Sequence, residues 1–349
     1  MKILAIDTSC DDTSVAIVEN GNKVLSSVLS SSIDAHKEFQ GVVPEIAARK
    51  HIESIIYVVD KALRDANLKL KDIELFAVTN RPGLLGSLLV GVGAAKGLAF
   101  AMQKPLIALD HIAAHIYSPH LTNEIEFPYI ALVVSGGHTI ITEVYSHGEY
   151  KVVGTTLDDA VGEAYDKVSK FLNMGYPGGP IIDKLAQKGD KNAIKYPLIL
   201  LNGLDEFNFS YSGLKTACVH STKKYLKEGY EATNENIAAA FQISAIEPLY
   251  IKTLNYVEKS GIKRVTISGG VACNSYLRER FGSSKDFECY LPQLKYTTDN
   301  AAMVGGLAYY MKEKQEYADY NLDCFSRVLN KKYNKTKSSS DKNFNKNNE

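Results

Sequence analysis

Lys2-Ile3-Leu4-Ala5-Ile6-Asp7-Thr8-Ser9-Cys10-Asp11-Asp12-Thr13-Ser14 lies at the start of a 349-residue chain. Lys2 to Ile6 has the apolar run of a buried strand, and Val15-Ala16-Ile17-Val18 returns after a turn of small hydroxyls and acids. Glu19-Asn20-Gly21-Asn22 then turns the chain into Lys23-Val24-Leu25, so the segment reads as a β-hairpin. The plan recurs at Ile130-Ala131-Leu132-Val133-Val134, where Ser135-Gly136-Gly137-His138 turns the chain into Thr139-Ile140-Ile141-Thr142 and Ser146-His147-Gly148 turns it again. An ordinary polar hairpin can look like this. A phosphate-binding turn can too, because glycines let backbone N–H groups approach an anion, and Ser135 and His138 add donors. Two such hairpins predict a duplicated domain closing on a shared ligand.

The totals are those of a soluble α/β protein large enough for two cores: 45% apolar and 23% charged residues. Lys+Arg and Asp+Glu both number 40, so no global field draws the chain to nucleic acid, and any RNA contact must use local patches. Cys10, Cys218, Cys273, Cys289 and Cys324 lack paired metal spacing, and their odd count suits reduced thiols in a cytoplasm. A strand at Lys2 leaves no room for a leader peptide. The apolar stretch from Leu84 to Phe100 is rich in glycine and broken by Lys96, which argues against a membrane span.

Pro44 suits the first turn of a helix whose buried face is expected at Ile52, Ile55, Ile56, Val59 and Leu63. Ile73 to Val78 is the next strand, followed by a helix bearing Gly86, Gly93, Ala94 and Gly97. That small-residue stripe serves internal packing or a partner. Asp158 to Lys167 reads as a helix, Gly175-Tyr176-Pro177-Gly178-Gly179-Pro180 as a forced loop, and a further helix opens at Ile181-Ile182-Asp183. Asp183 there either caps the helix or accepts bonds from ribose hydroxyls. Phe207 to Lys215 alternates aromatic and polar residues, as a strand or hairpin edge does. Asn236 to Val257 is a long helix buried through Ile237, Phe241, Ala245 and Leu249. Arg264 to Ser268 is a strand delivering Gly269-Gly270-Val271-Ala272-Cys273-Asn274, a strand–Gly-Gly–helix junction of the kind that seats a nucleoside, with Asn274 as a hydrogen-bonding residue.

His111 and His115 stand four apart after the short strand Pro105 to Leu109, so both imidazoles lie on one helix face and can reach one metal ion. Such a pair also occurs merely decorating a helix. Thr297-Thr298-Asp299-Asn300 offers a third ligand, Asp299, at another helix start. Ile112 sits where the glutamate of His-Glu-x-x-His would be, so polarising a substrate oxygen is the expected use rather than peptide hydrolysis.

These segments resemble the actin-like ATPase superfamily of sugar kinases and actin: two duplicated lobes, each a mixed sheet flanked by helices, around a cleft. Asp-Thr-Ser-Cys-Asp-Asp-Thr13, Gly41-Val-Val-Pro-Glu45, His111-x-x-x-His115, Val134-Ser-Gly-Gly-His138, Gly175-Tyr-Pro-Gly-Gly-Pro180, Phe209-Ser-Tyr-Ser-Gly-Leu-Lys215, Gly269-Gly-Val-x-x-Asn274 and Thr298-Asp-Asn300 resemble the bacterial TsaD family. These are the tRNA N6-adenosine threonylcarbamoyltransferases, and the likeness spans roughly residues 1–327. The resemblance implies lobes over 1–117, with 299–327 returning to it, and 118–298, and residues 328–349 read as a disordered tail. It implies one divalent metal, iron or zinc, on His111, His115 and Asp299. Val134, Ser135, Gly136, Gly137 and His138 would surround the phosphate and threonylcarbamoyl group, and Asp166, Gly179, Asp183 and Asn274 the nucleoside of threonylcarbamoyl-AMP.

The implied reaction moves the threonylcarbamoyl group to N6 of the adenosine 3′ of the anticodon in ANN-decoding tRNAs. Asp11 is the candidate base for the amine proton. Implied partners are tRNA, the TsaB paralogue as a heterodimer and the TsaE ATPase, in the cytoplasm and without a membrane. An actin-like kinase or ATPase acting on a small sugar or carboxylate shares the two phosphate turns but does not need the histidine pair. Three residues depart from the family pattern. Asp12 replaces a usual Glu, Arg81 stands in a usual Gly-Pro-Gly, and Gln40 replaces a usual Gly, which puts substrate access or partner fit near Arg81 in doubt.

Overall fold

The computed structural model describes residues 1–314 and 317–327. The tail expected over 328–349 lies outside the described residues. The first sheet takes β1 (Lys2–Asp7), β2 (Thr13–Glu19), β3 (Lys23–Ser30), β4 (Leu75–Arg81) and β5 (Leu106–Asp110) in the order β3-β2-β1-β4-β5. β1 runs antiparallel to β2 and parallel to β4. The second sheet takes β6 (Tyr129–Val134), β7 (Thr139–Ser146), β8 (Glu149–Thr155), β9 (Arg264–Ser268) and β10 (Glu288–Tyr290) in the order β10-β9-β6-β7-β8. β6 is antiparallel to β7 and parallel to β9, so the second sheet repeats the first strand for strand. The central strands β1 and β6 are almost wholly buried, which is why they read as continuous apolar runs.

Helices cover both sheets. The short α1 (Ile33–His36) follows β3; α2 (Pro44–Asp65) and α3 (Leu85–Met102) lie on the first sheet, and on its other face lies α11 (Ala301–Glu313), which packs against Ile3, Ala5, Ala16 and Val18. With the second sheet go α5 (Val161–Phe171), α6 (Gly178–Ala186), α7 (Ser212–His220), α8 (Thr222–Tyr225), α9 (Asn234–Ser260) and α10 (Ser275–Gly282). Between the two sheets sits α4 (His111–Tyr117), started by Asp110, whose Oδ1 accepts from the Ile112 and Ala113 N–H groups at 2.8 and 3.2 Å. Ala114 and Tyr117 belong to the first sheet's core, while Ile112 and Ile116 pack on Tyr129, Ala131 and Val133 of the second. Each of those isoleucines contributes roughly 1.5–3 kcal/mol of burial, so this short helix is held from both sides.

Several local expectations need correction. On α2, Ile52 and Ile56 are 64% and 68% exposed, and the buried face is Ala47, His51, Ile55, Val58, Val59 and Ala62. The apolar arc of the helix is wider than the face the sheet covers. Asp158 and Asp159 precede α5 instead of belonging to it, because their carboxylates bind Ser210, Ser212 and Lys215. Phe207 to Lys215 is therefore no strand: Phe209 makes a single bridge to Thr156, and Ser212 starts α7. Helix α6 begins at Gly178, three residues before Ile181. Helix α3 is long and apolar enough to cross a membrane, and its Ser87, Leu88, Gly91, Val92, Ala95 and Ala99 are buried inside the protein.

Gln40 adopts φ 52°, the left-handed region that favours glycine. Gln40→Gly is expected to stabilise the chain by about 1 kcal/mol, seen as a higher urea midpoint. An unchanged or lower midpoint would show that the Gln40 side chain compensates for its backbone.

Candidate active-site cleft and metal centre

α4 and the start of α11 bring three expected ligands together. His115 Nε2 lies 3.0 Å and His111 Nε2 3.5 Å from Asp299 Oδ1, and one donor atom from each residue lies within 4.8 Å of the others. Both imidazoles are buried, with ring centroids 4.5 Å apart. Behind them stands a residue the sequence did not single out as a contact. Asp7 Oδ2 is 3.3 Å from His111 Nδ1, and its Oδ1 accepts from Thr79 Oγ1 at 2.7 Å and the Ser9 N–H at 3.1 Å. A carboxylate behind a histidine sets which ring nitrogen faces forward. Asp7 stands behind His111 at ion-pair distance, without a well-formed hydrogen bond between Oδ2 and Nδ1, and His111 Nε2 is left toward Asp299.

The electrostatics favour a cation here. Burial pushes Asp7 and Asp299 up, yet His111 beside each holds both below the usual carboxylate range, Asp299 well below. Burial works against a charge on His111, but Asp7 and Asp299 hold it well above the ordinary histidine value. Burial and the His111 charge depress His115, which favours the neutral imidazole a metal needs. His115 Nδ1 is buried with no hydrogen-bond partner among the described residues, so this ring is engaged only through Nε2. Two imidazole nitrogens and one carboxylate oxygen fit a divalent zinc- or iron-type ion, with further positions left for substrate.

Beside this centre lies a cavity of about 410 Å³, lined by Gly136, Asp166, Gly179, Asp183, Asn274 and Thr298 among others. Five expected nucleoside or phosphate residues therefore share one wall. Asp166 Oδ1 accepts from the Gly178 N–H at 2.7 Å, and burial raises its pKa. Asp183 lies inside α6 and does not cap it; it accepts from Ser275 Oγ at 2.6 Å and from the Ser275 N–H at the start of α10, while its carboxylate edges the cavity. Asn274 caps α10 through Leu277 N–H and donates to Gln242 Oε1 at 2.7 Å. A Cβ on Gly179 would meet nothing within 4 Å. Tyr165 and Cys273 also line the cavity, and the buried Tyr165 hydroxyl lacks a partner among the described residues. Neither carried a sequence signal beyond residue type.

The Ser135–His138 turn closes on itself. The Ser135 N–H donates to the His138 carbonyl at 2.8 Å, and the His138 N–H to Ser135 Oγ at 3.1 Å. Val134 is fully buried at the end of β6, so its side chain is structural, while Gly136 and Gly137 are exposed. Burial, aided by His111 and His115, lowers His138 to about 4, which keeps it neutral beside the metal centre. Gly269 closes the turn from behind. With φ +92°, it stands where any Cβ would run into the Val134 carbonyl oxygen. Asp11 lies on the opposite hairpin and is not part of the cavity wall. Burial raises Asp166 and Tyr176, and the Asp11 charge adds to both, so Asp11 lies within electrostatic reach of them.

The departures find partners. Arg81 Nε lies 3.5 Å from Asp110 Oδ2, the residue that starts the histidine helix. Asp12 Oδ1 accepts from the Ser32 N–H at 3.1 Å.

Duplicated lobes, phosphate-type turns and a donor cluster at the cleft define a protein of the actin-like ATPase fold. A solved structure, the (R)-2-hydroxyglutaryl-CoA dehydratase component A of Acidaminococcus fermentans, shares that fold with a TM-score of 0.55 at 15% identity, covering 90% of this chain and 99% of that one. The family model for TsaD, tRNA N6-adenosine threonylcarbamoyltransferase, matches residues 23–306. The enzyme of that name from Brachyspira hyodysenteriae is 86% identical over 338 residues, 97% of this chain and 99% of the relative. That of Treponema denticola is 47% identical over 329 residues, 94% and 97% of the two chains. The chain belongs to the TsaD family.

Proposed function

We propose that this chain transfers the threonylcarbamoyl group from threonylcarbamoyl-AMP to N6 of the adenosine 3′ of the anticodon in ANN-decoding tRNAs, releasing AMP. Membership of the TsaD family supports the reaction. The observation that supports its site is the convergence of His111, His115 and Asp299 beside the cavity edged by Asp166, Gly179, Asp183 and Asn274. In this reading the last four residues hold the nucleoside, and Val134 to His138 wrap the phosphate and threonylcarbamoyl group. A divalent ion on the triad, iron or zinc, would supply Lewis-acid polarisation of a substrate oxygen.

The amine nitrogen attacks the carbonyl carbon of the carbamoyl–phosphate anhydride, the C–N bond forms, and the C–O bond to AMP breaks. Charge grows on the carbonyl oxygen, and in this reading the Gly136 and Gly137 N–H groups answer it. Asp11, across the cleft, takes the amine proton. Residues 1–117 with 299–327 act as one lobe and 118–298 as the other. A kinase reading leaves the histidine pair without a use. The test is transfer of labelled threonylcarbamoyl to an unmodified ANN-decoding transcript with TsaB and TsaE present. Label on a small sugar and none on tRNA would overturn the assignment.

The partner reading places TsaB on α2 and α3, with the complex working in the cytoplasm and TsaE as the accompanying ATPase. Ile52 and Ile56 of α2 are exposed alongside Leu85 and Leu89 of α3, which are 50% and 52% exposed. Gly86 packs toward α2, where a Cβ would stand 3.2 Å from Ala48 Cβ, but Gly93 and Gly97 face open space. Gly93→Leu is expected to abolish co-elution with TsaB while leaving the thermal midpoint unchanged. Retained co-elution would reject this face.

A further inference from the structure

From the charge distribution we infer that the lysine-rich surface running from α6 to α8 is the track on which the tRNA phosphodiester backbone docks. The inference rests on the proposed reaction, since it names the surface that presents the tRNA to that site. The whole chain is neutral, yet between Lys184 and Lys227 stand eight lysines against three acidic residues, Asp190, Asp205 and Glu206. Glu206 is taken by Lys259, and the Asp190 carboxylate accepts from the Asn192 N–H.

The track starts at the cavity. Lys184 lines it on α6, and Gln187 joins it to a second groove of about 470 Å³ that Lys191 lines. Lys188 is exposed between them. The chain then brings Lys195 beside α8: the Lys195 N–H donates to the Tyr225 carbonyl, the Lys227 N–H to the Ala193 carbonyl, and Ile194 bridges Leu226. Lys195, Lys224 and Lys227 thus crowd one exposed strip. None of these six lysines makes an ion pair among the described residues. Asp190 and Glu279 also line the second groove, yet the lysines outnumber the acids along the track and are not ion-paired to them. A net excess of like charge repels itself, and a polyanion relieves that repulsion by trading its condensed counterions for lysines. The occupant this favours is a nucleic-acid backbone entering beside the nucleoside cavity, without base-specific contacts.

The test compares two fourfold variants of the full chain with its partners. One carries Lys188→Gln, Lys191→Gln, Lys195→Gln and Lys227→Gln; the control carries Lys71→Gln, Lys151→Gln, Lys263→Gln and Lys285→Gln, exposed lysines elsewhere. Binding of an ANN-decoding tRNA transcript is measured against salt, with threonylcarbamoyl-AMP affinity as the check on folding. Each lost phosphate contact flattens log K against log salt by about 0.7–0.9, so the track variant should lose roughly 3 from the slope and the control almost none. The KM for tRNA should rise roughly tenfold or more at physiological salt, with the KM for the adenylate unchanged. Equal slopes in wild type and track variant, or the same loss in the control, would overturn the track. Wild type that binds tRNA but never modifies it would instead count against the proposed reaction.

Discussion

His111→Ala should hold no metal and transfer threonylcarbamoyl to tRNA at a rate reduced roughly a hundred- to a thousandfold, the scale of losing a preorganised electrostatic group. The expectation follows from the geometry. His111 supplies one of three converging donor atoms, and it also stands between two carboxylates, the buried Asp7 and the partly exposed Asp299. Removing it leaves two ligands and two like charges facing each other. Metal content by elemental analysis and single-turnover transfer are the readouts, with circular dichroism to confirm folding. Asp7→Asn keeps all three ligands but weakens the carboxylate behind His111, so a smaller loss of about 10–100-fold is expected. A metal-free His111→Ala that transfers at the wild-type rate would show that the triad is structural.

Gly269→Ala should destabilise the chain by about 3 kcal/mol, a magnitude kept for backbone strain and forced overlap. The residue sits at φ +92°, and the added methyl would collide with the Val134 backbone. Neither neighbour can yield, because β9 and β6 are paired over Ile130 to Val133 immediately before the contact. Gly270→Ala is the internal control: its Cβ would meet only Thr298 Cγ2, at 4.0 Å, and it should cost less than about 1 kcal/mol. Urea unfolding of the three proteins decides. Equal midpoints for both variants would mean that the β6–β9 ends are more pliable than their geometry implies.

Much of this architecture is legible in the sequence because its signals are local. The β1–β2 and β6–β7 hairpins announce themselves by apolar runs broken by small polar turns, and the Gly-Gly junction after β9 by composition. His111 and His115 are four apart, so helical geometry alone puts them together. What escaped depends on distant partners. Phe209 to Lys215 alternates like a strand, but Asp158 accepts from the Tyr211 N–H and both neighbouring serine hydroxyls, and this long-range clamp starts a helix instead. Ile52 and Ile56 fit helical periodicity as well as Ile55 and Val59 do; only the position of the sheet separates buried from exposed. Asp7 looks like any polar strand end until β1 and α4 are laid side by side.

Helix α4 has its two faces in two different cores, Ala114 and Tyr117 in one, Ile112 and Ile116 in the other. Seven residues are too few to be stable alone, so this helix persists only while both cores exist. Its amide protons can then exchange only when the whole chain opens, and neither half can melt first without dissolving the histidine pair. The two sheets are thereby joined into a single cooperative unit through the same short helix that carries the histidine pair.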